Sequence, residues 1–491
     1  MGSVTVQTSR DAIENAVARV VLGEPVGTPP PVVVGGRTDA VAIRVRHEPD
    51  GTLSIYGAAD VLSRDELREW SARLGAFLLE NGVERTVWPT VEATAADTPA
   101  SRAEAIVSGL LLGSYDPGRR RSAGEESPES IVIFEQAEPE TVDAVAESST
   151  IAGWTNWCRD LVNAPGAEVS PDGLATRAVE TLASLPGVDV EILDEDAIRA
   201  LGMGAFMAVA DGSAAGARLI VVRYEPVAGA AGPKTLGLIG KAVTFDAGGI
   251  SLKPALGLAD LRFDMAGGAA VLAAMGAIAE LRHSGRVLAL IPACENLAGP
   301  GAMRPGDIVR ALDGTTIQVV NTDYEGRLLL ADALVYARAC GADRLVDIAT
   351  LTDIAVSLGE YYAGLFGNDQ RWVDSLRESG ERTGDHLWPL PLNAYYRSML
   401  DTPFADIRNY AERPSAMAGD LSEAETIQGA TFLAEFAGVV PWAHVDIGAA
   451  AATAAGRDTY LHAGATGVGV RLLVDLNRAL SSVSTPAGEN A

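Results

Sequence analysis

Residues 241–253 read Lys-Ala-Val-Thr-Phe-Asp-Ala-Gly-Gly-Ile-Ser-Leu-Lys, and residues 321–327 read Asn-Thr-Asp-Tyr-Glu-Gly-Arg. Together with Asp264, which lies between them, these segments carry seven ionisable residues in sequence that otherwise predicts buried strands, glycine turns and helix starts. Burying one unpaired charge is costly, and burying several carboxylates together is prohibitive without cations. The stretch therefore predicts a site that holds positive charge, and the simplest candidate is a pair of divalent metal ions.

The composition is that of a globular protein with more than one domain. The chain has 491 residues, of which 48% are hydrophobic and 21% charged. One hydrophobic core rarely serves so long a chain, so two or three domains are expected. The net charge of −27 would repel a phosphate backbone or an anionic membrane surface, which argues against nucleic acid and membrane as partners.

Several features predict a cytoplasmic protein. The first eleven residues lack the basic start and apolar core of a signal peptide. The longest uncharged apolar run, Met265–Ala279, is short for a membrane span and predicts a buried helix. The three cysteines (Cys158, Cys294 and Cys340) form no C-x-x-C pair, so neither disulfides nor structural zinc are expected.

Residues 1–155 predict a smaller N-terminal α/β domain, because strand-like and helix-like segments alternate. The β-branched run Val41–His47 is followed, after a turn, by Thr52–Tyr56, which predicts a hairpin. Ser63–Asn81 predicts an amphipathic helix that begins with the Ser-x-x-Glu pattern of a capping box. No catalytic constellation is visible in this domain.

Residues 156–491 predict the larger domain, with a mostly parallel central sheet flanked by helices. Four of its predicted strands are Leu236–Gly240, Val287–Ile291, Ile317–Val320 and Leu345–Ile348. Helical segments separate them, as in a parallel sheet covered on both faces, and the fold class is therefore α/β. Ligands of such sheets bind at the carboxyl ends of strands. The segments that begin at Lys241 and at Asn321 each follow a predicted strand, so both should lie at that edge.

The carboxylates of the stretch favour oxygen-preferring ions. Asp323 and Glu325 are two residues apart, so in extended backbone their side chains face the same way. Asp246 precedes two glycines that allow a tight turn, and Asp264 begins a predicted helix. Four carboxylates without a nearby histidine suit Mg²⁺ or Mn²⁺, and shared carboxylates could hold two ions about 3.5 Å apart.

Two lysines flank Asp246 in the sequence. Either Lys241 or Lys253 could neutralise a carboxylate. A buried lysine beside metal ions should have a strongly lowered pKa, and Lys241 could then ligate a metal as a neutral amine. The alternative is a salt-bridge network in a domain core, with no metal.

The motifs resemble the leucyl aminopeptidase (cytosol aminopeptidase) family of two-metal exopeptidases. That family's signature is close to N-T-D-A-E-G-R-L, and residues 321–328 read N-T-D-Y-E-G-R-L. The family's upstream pattern G-K-G-x-T-F-D-x-G-G-x-x-x-K-P is matched by residues 240–254 except at Ala242. Weaker similarity extends over about residues 155–475.

The resemblance implies a role for each charged residue. The implied metal ligands are Lys241, Asp246, Asp264, Asp323 and Glu325, with Asp246 and Glu325 bridging two ions. Lys253 would polarise the scissile carbonyl and stabilise the oxyanion. Arg327 would hold a bicarbonate ion that serves as general base. Family members use Zn²⁺ or Mn²⁺, and Mn²⁺ also satisfies the ligand argument.

Substrate preference is left open by two departures from the family pattern. Tyr324 replaces a small residue, and alternation favours a packing role for it over a catalytic one. Asp353 stands where the family has glycine, beside a loop that contacts substrate in related enzymes; it either alters preference at the second substrate residue or points to solvent. The resemblance implies substrate contacts at Leu261, Thr350, Leu351 and Asp353.

The sequence therefore predicts a cytoplasmic aminopeptidase that releases an apolar N-terminal residue, such as Leu or Met, from peptides with a free N-terminus. One alternative is an enzyme that trims a biosynthetic precursor peptide, and a less favoured one is a DNA-binding accessory protein. The resemblance also implies a homohexamer, in which the N-terminal domain would serve oligomerisation or access. His444 and Asp446 resemble a charge-relay pair, but a structural histidine on a strand is favoured.

Overall fold

The structure, a computed structural model, describes residues 4–9, 18–22, 32–34, 43–49, 52–57, 62–117, 130–135, 137–226, 234–412, 423–453 and 460–483. The chain divides into two compact units. The first comprises Met1–Asn156 and Thr453–Thr466, and the second comprises Trp157–Ala452 and Gly467–Ala491. The predicted boundary near residue 155 did not include the return of residues 453–466 to the first unit.

The strands, numbered in chain order, are β1 (Val4–Ser9), β2 (Ala18–Leu22), β3 (Val32–Val34), β4 (Ile43–His47), β5 (Leu53–Gly57), β6 (Arg85–Trp88), β7 (Ser130–Glu135), β8 (Val188–Leu193), β9 (Arg218–Tyr224), β10 (Thr235–Gly240), β11 (Ala242–Asp246), β12 (Arg286–Asn296), β13 (Ile308–Arg310), β14 (Thr316–Gln318), β15 (Arg344–Ala349), β16 (Ala363–Gly367), β17 (Leu387–Pro389), β18 (Ile407–Arg408), β19 (Trp442–Asp446), β20 (Ala452–Thr453) and β21 (Gly464–Ala465).

The helices are α1 (Arg64–Glu80), α2 (Pro99–Gly113), α3 (Pro139–Val162), α4 (Pro171–Leu182), α5 (Glu195–Leu201), α6 (Gly204–Ala210), α7 (Ala266–Glu280), α8 (Gly326–Ala339), α9 (Ala355–Leu358), α10 (Gln370–Thr383), α11 (Ala394–Met399), α12 (Glu425–Ala437) and α13 (Val470–Val483). A 3₁₀ helix, Leu258–Met265, precedes α7.

The first unit is built on a seven-stranded sheet in the order β1-β7-β6-β2-β5-β4-β3. Five neighbouring strands are parallel, and β5, β4 and β3 finish the sheet with antiparallel pairings. The predicted hairpin is confirmed, with Arg44 opposite Tyr56. The predicted capping box is also confirmed, because Ser63 caps α1 and exchanges hydrogen bonds with Glu66.

The second unit is built on a nine-stranded sheet in the order β17-β16-β19-β15-β10-β12-β9-β8, with β11 also paired to β12. Its central strands β19, β15, β10 and β12 are parallel, and antiparallel pairings join β16 to β19, β9 to β12 and β8 to β9. The carboxyl ends of β10, β11, β12, β15 and β19 therefore share one edge. The predicted α/β class with a parallel-rich sheet is confirmed.

Helix α7 is a core helix, as the apolar run predicted. All its residues except Glu280 are buried. Together with the preceding 3₁₀ helix it forms the segment Leu258–Glu280, the one stretch of the described chain with the length and hydropathy to cross a membrane. Because 83% of its most apolar window is buried, the segment fits the core of a globular unit.

Glycines bring the start of α7 against the sheet. A Cβ on Gly267 would lie 2.1 Å from the carbonyl oxygen of Ile348, and one on Gly240 would lie 2.6 Å from that of Gly267. Real side chains do not tolerate such distances, so the helix start can approach the ends of β10 and β15 only because these positions lack a Cβ. This close approach carries Asp264, just before α7, to the strand ends.

One strand prediction was wrong in its placement. Residues 317–320 were expected to join the central parallel sheet, but the strand there, β14, belongs to a separate three-stranded sheet with β13 and β18. A short apolar run fits either sheet, because its alternation does not identify its partner strands.

Candidate metal centre

The site is assembled at the carboxyl edge of the central sheet. Lys241 directly follows β10, Asp246 ends β11, and Thr350 directly follows β15. Asn296, the last residue of β12, donates a hydrogen bond of 2.8 Å to Asp246. Because neighbouring parallel strands end at the same edge, segments separated by about a hundred residues meet there.

A glycine turn after β11 shapes one wall. Gly248 and Gly249 adopt φ of +86° and +66°, conformations that L side chains rarely enter. A Cβ on Gly248 would lie 2.9 Å from the Oδ1 atom of Asp323. The Gly248 N–H donates a 2.9 Å hydrogen bond to Asp246. The glycine pair therefore lets the backbone turn directly beside two of the carboxylates.

Asp323 and Glu325 reach the site by a route that differs from the predicted one. Asp323 lies in a turn, and Glu325, with φ of −71° and ψ of −38°, is the N-cap residue that directly precedes helix α8. The extended backbone assumed for this pair is therefore wrong. Their carboxylates nevertheless meet, because ligand oxygens of Asp246, Asp323 and Glu325 all lie within 4.8 Å of one another.

Lys241 forms the centre of the first group of charges. Its ammonium lies 2.8 Å from carboxylate oxygens of both Asp264 and Glu325, and it donates a 2.8 Å hydrogen bond to the carbonyl oxygen of Thr350. The Thr350 hydroxyl in turn donates to Asp264 at 2.6 Å. Lys241 and Glu325 are almost fully buried, so the four groups form a compact polar cluster inside the unit.

Lys253 forms the centre of the second group. Its ammonium lies 3.0 Å from Asp246 and 2.5 Å from Asp323. The Lys253 side chain is 21% exposed, against 3% for Lys241. The better-exposed lysine is therefore the one that a substrate can approach more easily.

The two groups leave negative charge in excess. The four carboxylates face two ammonium groups, which leaves a formal charge of −2. Burial raises the pKa of Asp323 to about 7, although Lys253 opposes this effect. Burial likewise raises the pKa of Asp264 well above its usual range, although Lys241 opposes it. The two lysine ammonium groups therefore do not neutralise the charge of the four carboxylates.

The surrounding carboxylates raise the pKa of both lysines. Burial acts to lower the pKa of Lys241, but the charges of Asp264, Glu325 and Asp246 outweigh it and raise the pKa. For Lys253, too, burial is outweighed, chiefly by Asp246 and Glu325, and the pKa is raised. A cation drawing on the same carboxylates would oppose this increase.

The residues present fit divalent cations. The Asp264 Oδ2 and Glu325 Oε2 atoms are buried and have no hydrogen-bond partner among the residues that the structure describes. Buried carboxylate oxygens seldom remain unpartnered, because the lost hydration is costly. Each of these carboxylates thus binds Lys241 with one oxygen and has its second oxygen available to a metal, as an oxygen-ligand site requires.

Arg327 forms a cationic position next to the carboxylates. The residue is completely buried, and one guanidinium nitrogen, Nη1, donates a 2.7 Å hydrogen bond to the carbonyl oxygen of Asn409. Its Nε and Nη2 atoms have no partner among the described residues. Burial lowers the pKa of Arg327, but the group remains a cation. Two unpartnered N–H groups on a buried cation fit a small anion.

The four residues predicted to contact substrate differ in their burial and in their contacts with this centre. Leu261 is half-buried in the 3₁₀ helix that carries Asp264. Thr350 contacts Asp264 and Lys241 directly. Leu351 packs near Gly429, where an added Cβ would also lie 3.3 Å from Arg327 Nη2. Asp353 is exposed.

Sequence reasoning missed three residues around the motif. Buried Asn296 donates to both Asp246 and the carbonyl oxygen of Thr322. Buried Asn409 holds the motif backbone at residues 320 and 321. Glu425, at the start of α12, is close enough to Tyr324 to interact with its hydroxyl and close enough to Asp353 for their charges to repel. Nothing in their spacing indicates these residues, because each acts across more than twenty residues of intervening chain.

His444 is a structural histidine with a different partner from the one considered. Its Nδ1 lies 2.5 Å from Asp347, the residue opposite it on neighbouring β15, and Trp442 also donates to Asp347. Asp446 takes no part in that pair and instead accepts a 2.5 Å hydrogen bond from Thr352. Both side chains of the His444–Asp347 pair are completely buried, so the charge-relay interpretation is not supported.

Comparison with known proteins adds independent findings. Residues 156–474 match the cytosol aminopeptidase family, catalytic domain. A protein of Solibacter usitatus is 45% identical over 375 residues, which are 76% of each chain, and one of Geobacter sulfurreducens is 41% identical over 86% of this chain and 84% of its own. Both are named "Probable cytosol aminopeptidase". The solved structure of the bottromycin maturation enzyme BotP has a TM-score of 0.82 at 35% identity, covering 95% of this chain and 100% of its own. The same values hold for that enzyme in complex with Mn.

Proposed function

Since the chain belongs to the cytosol aminopeptidase family and is a metal-dependent aminopeptidase, we propose that it releases an apolar residue such as Leu or Met from the free N-terminus of peptides. The observation that carries this proposal is the cluster of four carboxylates around Lys241 and Lys253 at the strand ends. The family membership agrees with the resemblance that the motifs predicted.

The proposed roles follow the geometry of the two charge groups. The ligands for two divalent ions, Zn²⁺ or Mn²⁺, would be Lys241, Asp246, Asp264, Asp323 and Glu325. When bound, the ions would supply Lewis-acid activation of the attacking water. Lys253, the more exposed lysine, would donate to the scissile carbonyl oxygen as negative charge develops on it. Arg327 would hold bicarbonate through Nε and Nη2, placing a base beside the carboxylates.

Preference for an apolar first residue is supported by the surface around Lys253. Ile250, Leu252 and Leu256 expose apolar side chains on the segment that carries this lysine, and Leu252 is 66% exposed. Leu261 lies half-buried further along the same segment. Exposed apolar groups beside polar ones are typical of a binding surface. An apolar N-terminal side chain would bury part of this surface.

A second candidate function is the trimming of one residue from a biosynthetic precursor peptide. The observation that favours it is the likeness to a bottromycin maturation enzyme over 95% of this chain. The exposed carboxylate of Asp353, close to that of Glu425, would then select the residue that follows the cut. General peptide turnover and precursor trimming use the same chemistry and differ in which peptides are accepted.

We also propose a cytoplasmic homohexamer, as the family resemblance implies, with residues 1–155 serving assembly or access. Light scattering coupled to size-exclusion chromatography would then give six times the mass of the single chain. A monomeric mass under conditions of full activity would overturn this part of the proposal without affecting the chemistry.

The central experiment is hydrolysis of Leu- and Met-p-nitroanilide with and without Mn²⁺, by the wild type and by Asp323→Ala. Metal-dependent release by the wild type alone is expected. No release from either substrate, or equal release by the variant, would contradict the proposal. A library of decapeptides then separates the two candidate functions: sequential removal of residues indicates turnover, and removal of one residue from a narrow set indicates trimming.

A further inference from the structure

Tyr324, the aromatic residue between Asp323 and Glu325, is packed against Arg327. The Arg327 guanidinium carbon lies 4.8 Å from the centre of the Tyr324 ring. A cation at this distance over an aromatic face is attracted by the ring's negative face, and burial strengthens the attraction. The side chain that alternation predicted to point away from the metals therefore contacts the site's third cation instead.

The Tyr324 ring is itself held in place. It stacks on Tyr410, with centroids 3.9 Å apart and planes 12° from parallel. Tyr410 and Glu425 also lie close enough to the Tyr324 hydroxyl to interact with it electrostatically. The stack on Tyr410 fixes the plane of the Tyr324 ring, so Tyr324 offers Arg327 a fixed surface.

The segment that supplies Tyr410 also holds Arg327 and the motif backbone. Asn409 accepts a hydrogen bond from the Val320 N–H at 2.8 Å and donates one to the carbonyl oxygen of Asn321 at 2.7 Å. The Asn409 carbonyl oxygen accepts from Arg327 Nη1. One hydrogen bond from Nη1 and the contact with the Tyr324 ring therefore hold the Arg327 guanidinium in place. Its Nε and Nη2 atoms have no partner among the described residues.

We propose that Tyr324 is a positioning residue, whose ring, supported by Tyr410, holds the Arg327 guanidinium so that Nε and Nη2 are presented to an anion. The proposal rests on the aminopeptidase function proposed above, since that function gives Arg327 its anion. In this role Tyr324 contacts neither the metal ions nor the substrate. It acts only through Arg327.

The test compares the wild type with Tyr324→Phe and Tyr324→Ala. Phe keeps the ring face and the stack, so its kcat for Leu-p-nitroanilide with Mn²⁺ should stay within about two-fold of the wild type. Ala removes the ring, and loss of a desolvated cation–π contact should lower kcat on the order of ten-fold. KM should change little, and added bicarbonate should partly restore the rate of the Ala variant, which a merely structural defect would not allow.

A second measurement does not depend on activity. Phenylglyoxal modifies arginine, and peptide mass spectrometry reports the rate at Arg327 itself. The rate should rise several-fold in Tyr324→Ala and stay unchanged in Tyr324→Phe. Equal labelling and equal kcat in all three proteins would overturn the proposal, as would a Phe variant as impaired as Ala. If Ala does not fold, Tyr324→Leu replaces it, because Leu fills the space without an aromatic face.

These experiments distinguish a failure of the proposed aminopeptidase function from a failure of the proposed role of Tyr324. A wild type without Mn²⁺-dependent release would contradict the proposed function, while the labelling rates would still decide whether Tyr324 holds Arg327. A fully active wild type with identical variants would contradict only the role of Tyr324.

Discussion

Gly326 lies so close to Lys241 that a Cβ at position 326 would be 2.8 Å from the lysine Nζ and Cε atoms. The lysine side chain thus runs over the first residue of α8 to reach Asp264 and Glu325. The absence of a side chain at Gly326 therefore leaves room for the buried Lys241 ammonium.

Gly326→Ala should displace the Lys241 ammonium from its three partners and lower kcat/KM at least about ten-fold, since moving a group even 1 Å in such a site can cost more. Metal content, measured by mass spectrometry of the desalted protein, should fall with it. The matched control is Gly153→Ala in α3, where an added Cβ meets nothing within 4 Å; there, activity should not change. A fully active Gly326→Ala would contradict the assigned position of Lys241.

Asn409→Ala should destabilise the second unit, because it leaves the part-buried Val320 N–H and Asn321 carbonyl without their partner. An unsatisfied buried group costs about 1–3 kcal/mol, and one that is partly open to water costs less, so the loss of unfolding free energy should be about 2–3 kcal/mol. Urea denaturation followed by fluorescence measures it.

The comparison for this prediction is Asn393→Ala, which removes the exposed hydrogen bond from the Tyr395 N–H at the start of α11. Loss of such a cap costs about 1 kcal/mol. Equal effects of the two substitutions would show that Asn409 does not support the motif.

The sequence predicted those parts of the site whose residues are neighbours in the chain or follow a strand. The glycine turn after Asp246 and the helix that begins beside Glu325 follow from local chemistry, and both are present. The family resemblance placed Lys241 and Asp264 in one site as metal ligands, and in the structure the two side chains form an ion pair. The local predictions are confirmed because a backbone turn or a strand end fixes a side chain within a few residues.

Other parts could not be predicted because they depend on partners distant in the chain. The sheet that β14 joins is decided by β18, some ninety residues later. Asn409 supports Arg327 and Tyr410 supports Tyr324, and neither has a recognisable spacing relative to the motif. The return of residues 453–466 to the first unit likewise has no local signal. Such contacts depend on how distant segments pack together, and local sequence patterns carry no information about that packing.

Asp353→Asn should weaken the preference of the enzyme for substrates whose second residue is basic. Asp353 is exposed and lies near Glu425, whose pKa is raised by burial and then by the Asp353 charge. Two adjacent negative charges would attract a Lys or Arg side chain, and an exposed pair of opposite charges contributes up to about 1 kcal/mol. The ratio of kcat/KM for Leu-Arg over Leu-Ala amides should therefore fall about two- to five-fold.

The control for this prediction is Glu378→Gln, which removes one negative charge from an exposed position on α10. Its effect on the ratio should be negligible. If both variants, or neither, change the ratio, Asp353 points to solvent and does not meet the substrate.

Asp475→Asn should weaken the contact between α10 and α13 in a pH-dependent way. Asp475 accepts hydrogen bonds from Arg382 and Arg478. Burial acts to raise the pKa of Asp475, but these partners outweigh it, and the pKa is lowered. Because the folded pKa lies below that of the unfolded chain, about 3.9, the ionised carboxylate stabilises the folded protein above that pH, and this contribution is lost as the pH falls through the folded pKa. Both arginines are more than a third exposed, so the contribution at pH 7 should be only about 1 kcal/mol.

Thermal unfolding at pH 7, 5, 4 and 3 should show that the variant is less stable than the wild type at pH 7 and pH 5. The difference in stability should shrink towards pH 3. Asp374→Asn, on α10 with a hydrogen bond from Gln370, should show no such convergence; a difference between wild type and Asp475→Asn that stays constant from pH 7 to pH 3 would mean that the ionised carboxylate does not stabilise this contact.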